Sequence, residues 1–233
     1  MMRWQTPVIG VCLIFLAAVP AYCQRGTIGV DVGQVSDRFG GLARSTSAEG
    51  IVDGEVIVLK SKDEKYGADV VAGGELRLPV DTSSHAWEES LYGGTKFRFG
   101  QGLSIGFHVQ VHRIYLPAST IDNAVFSRDR LSLLELPGFM EYKFGPERHA
   151  FVQAMVGPEF TPHFHARAVT TIPHPILDHG YFIRGTVGYN LGKFYVKGNY
   201  ETRYFKFRAG TGNPDGLYNW RSDMVTGGVG FVF

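Results

Sequence analysis

The side chains best suited to chemistry in this chain are its histidines. His163, His165, His174 and His179 fall within residues 163–179, with Asp178 beside the last. On extended backbone a His-x-His pair presents both rings to one side, and imidazoles joined by a carboxylate can hold zinc or copper. Pro162, Pro173 and Pro175 interrupt the same stretch, and histidine is common in solvated loops, so the reading preferred here is a loop, with no metal and no other cofactor assigned. His108 and His112 lie on one face of a strictly alternating segment. At a strand rise of about 3.3 Å per residue they stand roughly 13 Å apart, too far to share a ligand, and they are expected to join an interior hydrogen-bond network. Ser104 shares their face at the same spacing from His108, so no Ser-His-acid set assembles from spacing alone. No phosphate-cradling loop or metalloprotease motif is present. No catalytic residue is assigned, and the expectation is a protein that is not an enzyme.

What would position these residues is a series of strands. Leu103, Ile105, Phe107, Val109 and Val111 alternate with Ser104, Gly106, His108, Gln110 and His112, the period of two that puts successive side chains on opposite faces. The same grammar recurs from Gly26 to Gly33, Tyr66 to Val80, Leu91 to Phe99, Arg130 to Phe144, Ala150 to Phe160, Tyr181 to Leu191, Phe194 to Tyr204 and Ser222 to Phe233. Val52 to Lys60 is a weaker strand, because Val56 to Leu59 is apolar on both faces. Residues 36–50, 81–89, 117–129, 161–179 and 208–221 read as loops. The remaining connections are short: 61–65, 100–102, 145–148 and 191–193. Thirty glycines in 233 residues, about twice the usual share of ~7%, argue against long helices.

Nearly every strand sets ionisable groups opposite its apolar face: Asp69, Glu75, Arg77, Lys96, Arg98, Glu135, Glu141, Lys143, Glu159, Arg184, Lys197, Glu201 and Arg203. A closed barrel in lipid turns the apolar face outward and lets these charges pair inside. Short and long connections alternate, as they do in outer-membrane barrels. Tyr92, Tyr115, Tyr142, Phe144, Phe160, Tyr181, Tyr189, Phe194, Tyr204 and Trp220 are expected at the two membrane interfaces.

The N-terminus points the same way. Arg3, the apolar run Val8 to Val19 and Pro20-Ala21-Tyr22-Cys23 have the form of a secretory signal peptide over residues 1–23, leaving 24–233 as one barrel domain. Acylation of Cys23 is the rival reading, disfavoured by bulky Tyr22. Cys12 and Cys23 are the two cysteines, so the mature chain has no thiol for a disulfide or a cysteine metal site. A formal net charge of +1 gives no reason to expect nucleic acid.

The last strand carries the most specific signal. Thr226-Gly-Gly228-Val-Gly-Phe231-Val-Phe233 matches the polar-x-Gly-x-x-aromatic-x-aromatic closing strand of bacterial outer-membrane barrels. On that motif and the strand grammar, the chain resembles the small outer-membrane β-barrel superfamily of opacity, OmpA transmembrane-domain and OmpX-like proteins. The resemblance implies an all-β, antiparallel, up-and-down transmembrane barrel, with ten strands favoured and eight if Val52–Lys60 and a neighbour join a large first loop. It implies recognition of Thr226, Gly228, Phe231 and Phe233 by the barrel-assembly machinery, and outer-membrane lipids as the surroundings of a monomer. A peptidoglycan-binding domain would need more chain after Phe233. The expected function is a scaffold whose extracellular loops meet a ligand the sequence does not name. The alternatives are a narrow channel for small or hydrophobic solutes, a membrane-lipid-modifying enzyme, or a soluble barrel with its faces reversed.

Overall fold

The computed structural model describes residues 25–39, 45–63, 65–80, 87–115, 119–121, 124–126, 130–165, 176–208 and 217–233. The signal-peptide segment and His174 lie outside them. Ten long strands form the wall: β1 (Gly26–Phe39), β2 (Ser45–Leu59), β3 (Gly67–Pro79), β4 (Trp87–Phe99), β5 (Leu103–Tyr115), β6 in two segments (Arg130–Glu135 and Gly138–Phe144), β7 (Ala150–His165), β8 (Ile176–Leu191), β9 (Phe194–Arg208) and β10 (Leu217–Val232). Each pairs antiparallel with its sequence neighbour, and β1 pairs with β10 from Thr27↔Val232 to Phe39↔Trp220, closing the sheet on itself. Gly26 and Phe233 exchange both backbone hydrogen bonds at 3.0 Å, fixing that seam at its lower rim. Closure leaves no open edge, which is what a strand wall in lipid requires.

Outward positions are apolar and exposed: Val30 and Val32, Ile105, Phe107, Val109 and Val111, Ile183 and Val187, Val225 and Val229. Their partners one residue along are buried and polar: Asp31, Ser104, His108, Gln110, His112, Glu135, Glu159, Glu201, Arg203 and Thr226. Such an inverted distribution suits a wall facing hydrocarbon on the outside. The belt is bounded on one side by outward charges, where Arg113 pairs with Glu89 at 3.0 Å and Arg221 with Asp223 at 3.0 Å. No helix among the described residues is long and apolar enough to cross a membrane.

The ten-strand reading holds, but the strands are longer than the sequence suggests. Residues 36–50, expected as a loop, are mostly strand: β1 continues to Phe39 and β2 starts at Ser45. The same correction moves Glu88 and Glu89 into β4, extends β7 to His165 and starts β8 at Ile176. These ends carry polar residues on both faces because they rise past the apolar belt, so alternation fades while pairing continues. The apolar run Val56–Leu59 also has a cause. A bulge between Ile57 and Leu59 against β3 puts Val58 and Leu59 both outside, 49% and 65% exposed, the local bend that an extra residue gives.

The short connections gather at one end. The 61–66 turn is pinned by Asp63, whose Oδ1 accepts from the Lys65 and Tyr66 amides at 2.8 and 3.1 Å. These two backbone donors hold its carboxyl below the usual aspartate range. Gly102, Gly145 and Gly192 supply the positive φ values (90°, 80° and 78°) at the other three turns, a conformation that costs glycine least. At the opposite end a short ribbon, 119–121 with 124–126, decorates the β5–β6 connection.

Candidate functional site

The barrel interior is the site, and its residues come from every wall strand. Near the middle, Glu201 on β9 is the hub. Its carboxylate accepts from Arg77 Nη1 and Nη2 at 2.9 and 3.0 Å, from Arg184 Nε at 2.6 Å and from Arg203 Nε at 2.6 Å. Glu75 accepts from Arg184 at 3.0 Å and also binds Arg77 Nε. Glu88 lies 3.3 Å from Arg77 and 3.0 Å from His112 Nε2. His112 Nδ1 stands 2.7 Å from Glu135 Oε1, and Glu159 sits 3.3 Å from Arg203. The residues at the centre of this network are 0–4% exposed. Charges this deep persist only when paired and hydrogen-bonded. Directly beyond it lies an apolar layer of Ile114, Leu133, Phe205 and Trp220; Phe205 stacks on Trp220, and Trp220 Nε1 donates to Asp37 at 3.0 Å. Charge network and apolar layer together make a plug.

Below the plug the lumen widens into a cavity of about 690 Å³. Its lining runs from Lys60, Gly100, Arg148 and Gly192 at the short turns up to Glu75, His108 and Arg184 beneath the network, so it is a cup open at the short-turn end. Local ion pairs tie down its walls: Lys197 with Asp53 at 2.6 Å and Asp31 at 3.0 Å, Lys96 with Glu141 at 2.8 Å, and Arg98 with Asp69 at 2.9 Å.

Of the sequence-level candidates, His112 joins the network as expected. His108 does not: it is 3% exposed, neither ring nitrogen has a hydrogen-bond partner, and the ring stacks on Tyr92 at 4.4 Å with Phe139 at 4.8 Å. It therefore does not activate Ser104. Of the loop histidines, His179 pairs with Asp178 at 3.1 Å. His163 and His165 have backbone partners in β6, Ser132 and Arg130. The expected interfacial aromatics divide. Tyr142, Phe144, Phe160, Tyr181, Tyr189 and Phe194 are outward and 42–60% exposed. Tyr92 and Trp220 point inward, Tyr92 donating to Glu55 at 3.0 Å. On β4 Tyr92 has the parity of inward Lys96, and on β10 Trp220 that of buried Met224; parity, not proximity to a strand end, sets the direction.

The closing-strand residues have structural duties. Thr226 is buried, its Oγ1 accepting from Asn199 at 3.0 Å. Phe231 faces out, edge-on to Phe194 at 5.5 Å, and Phe233 makes the seam with Gly26. Gly228 faces in, where an added Cβ would overlap the Asp31 carboxylate and the Val30 carbonyl. Gly228→Ala is therefore expected to cost about 1–3 kcal/mol, the usual range for overpacking, as read from urea unfolding in lipid vesicles. An unchanged midpoint would mean that β1 yields easily at this seam.

No family model matches the sequence, and no curated protein matches it. Several solved structures align with the chain at low similarity. The outer membrane protease OmpT from Escherichia coli aligns with TM-score 0.48 and 11% identity over 90% of this chain and 97% of that one. Neisserial surface protein A gives 0.40 and 10% over 88% and 96%, and OprG from Pseudomonas aeruginosa 0.37 and 10% over 89% and 96%. At these identities and TM-scores the likeness assigns no role to the chain. By fold the chain is a closed ten-stranded antiparallel β-barrel, apolar outside and ionic within.

Proposed function

We propose that the protein is a plugged, non-enzymatic barrel of the bacterial outer membrane, a monomeric scaffold that holds its long connections at the cell surface for interaction. The observation that carries this reading is the plug: Arg77, Glu201 and Arg203, 1–4% exposed, span the lumen beneath a stacked apolar layer. Barrels of this size have interiors largely filled by side chains. The short-turn end, and with it the cup, faces the periplasm by the rule for such barrels. The closing-strand residues Thr226, Gly228, Phe231 and Phe233 serve as the assembly signal. Among the described residues, Ser104 and His108 share a face without the contact a nucleophile needs.

Planar-bilayer recording tests the plug. Purified protein is expected to insert without discrete ohmic steps. Regular steps would overturn the scaffold reading in favour of a narrow channel, for which the open cup would be the vestibule. Unchanged acyl chains after incubation with lipopolysaccharide, read by mass spectrometry, are expected as well; deacylated or transferred chains would make the protein a lipid enzyme.

A further inference from the structure

We propose that His112, Glu135 and Glu159 form a binding site for one divalent first-row metal ion, built into the upper wall of the plug. The three residues come from adjacent strands β5, β6 and β7, and one ligand atom of each lies within 4.8 Å of the others. All three are 0–2% exposed. One imidazole and two carboxylates is a donor set suited to zinc or manganese.

Three observations point to a cation. First, in the tautomer protonated at Nε2, His112 donates to Glu88 Oε2 at 3.0 Å, the second-shell arrangement that orients a metal-binding imidazole. That tautomer aims the Nδ1 lone pair at Glu135 Oε1, 2.7 Å away, two acceptors face to face. Second, Glu135 Oε2 and both oxygens of Glu159 are fully buried without a hydrogen bond, an expensive arrangement for carboxylates. Third, the charge does not close. The plug network described above holds five carboxylates and three guanidinium groups, which leaves two negative charges, and one divalent ion cancels both. Arg203 already marks the spot: Nη1 is 2.5 Å from His112 Nδ1 and 3.3 Å from Glu135 Oε1 and from Glu159 Oε1. One nitrogen with two hydrogens does not serve three acceptors. Arg203 is anchored separately by Nε on Glu201 at 2.6 Å, so on metal binding Nη1 must swing away from the three ligands while the Nε contact holds the rest of the guanidinium. The site was invisible to sequence spacing, and it stands apart from whether the barrel conducts.

Two protons, on His112 and between the two glutamates, would cancel the same charge, and the experiment separates the two. Full-length barrel is refolded in chelator-treated buffer with equimolar Zn²⁺ or Mn²⁺, desalted, and assayed for retained metal by mass spectrometry. One ion per chain is expected, with Glu159→Gln and His112→Gln binding at least tenfold more weakly while still migrating as folded barrel before boiling. X-ray absorption on the zinc-loaded wild type guards against variants that fail to fold: one imidazole with oxygen ligands is expected. Two or more imidazoles would place the ion at the 163–179 histidines and overturn the proposal. Folded wild type that retains no metal would overturn it too, assigning the missing charges to protons.

Discussion

Glu201→Gln is expected to destabilise the barrel by about 3–5 kcal/mol, the cost of removing one partner from a buried ion pair, or more if all three guanidinium groups are stranded together. Glu201 alone receives Arg77 through two hydrogens and holds Arg184 and Arg203 at 2.6 Å each. Glutamine keeps the shape but presents an NH₂ to groups that are themselves donors only. Urea unfolding in lipid vesicles would read the change. A loss below about 1 kcal/mol would mean that the guanidinium groups re-pair with Glu75, Glu88 and Glu159, and that the hub is redundant.

Phe107→Arg should be comparably costly for the opposite reason. Phe107 is 51% exposed in the middle of the outward series Ile105 to Val111. In water such exposure would be tolerant of charge, whereas at the bilayer midplane arginine on the lipid face of a barrel costs about 2–4 kcal/mol. Phe107→Leu, apolar and of similar bulk, is expected to stay within about 1.5 kcal/mol. Equal stability of the arginine and leucine variants in vesicles would mean that this outward wall does not face hydrocarbon.

The wall was legible because its information is local. Alternation along Leu103–His112 and Phe194–Tyr204 states which residues share a face, and the spacing of turns states how many times the chain crosses. The ends of strands were not legible: at the β1–β2 tips Asp37, Ser47 and Glu49 face the interior while Arg38 and Thr46 are exposed on the other face, so both faces are polar. The inward direction of Glu135, Glu159 and Glu201 could be read, but not their partners. Arg77 meets Glu201 across 124 residues, and Arg184 meets Glu75 across 109. Such pairings depend on the curvature and register of a closed sheet, which no single segment encodes. His112 and the two glutamates beside it are the sharpest case, three strands converging on one point with no motif in any of them.

The seam at Gly26 and Phe233 also has a kinetic meaning. The two residues that lock the lower rim stand at opposite ends of the barrel sequence, so the seam forms between the first strand made and the last. Joining ends so far apart carries a loop-closure cost of about 5 kcal/mol, by the logarithmic dependence on length. The register from Thr27↔Val232 to Phe39↔Trp220 repays it only when most of the ladder has zipped. A half-zipped seam would leave amide and carbonyl groups bare in hydrocarbon. Folding of this wall is therefore cooperative across the whole chain and slow by topology, and its native state, once locked, is guarded by the same barrier against opening.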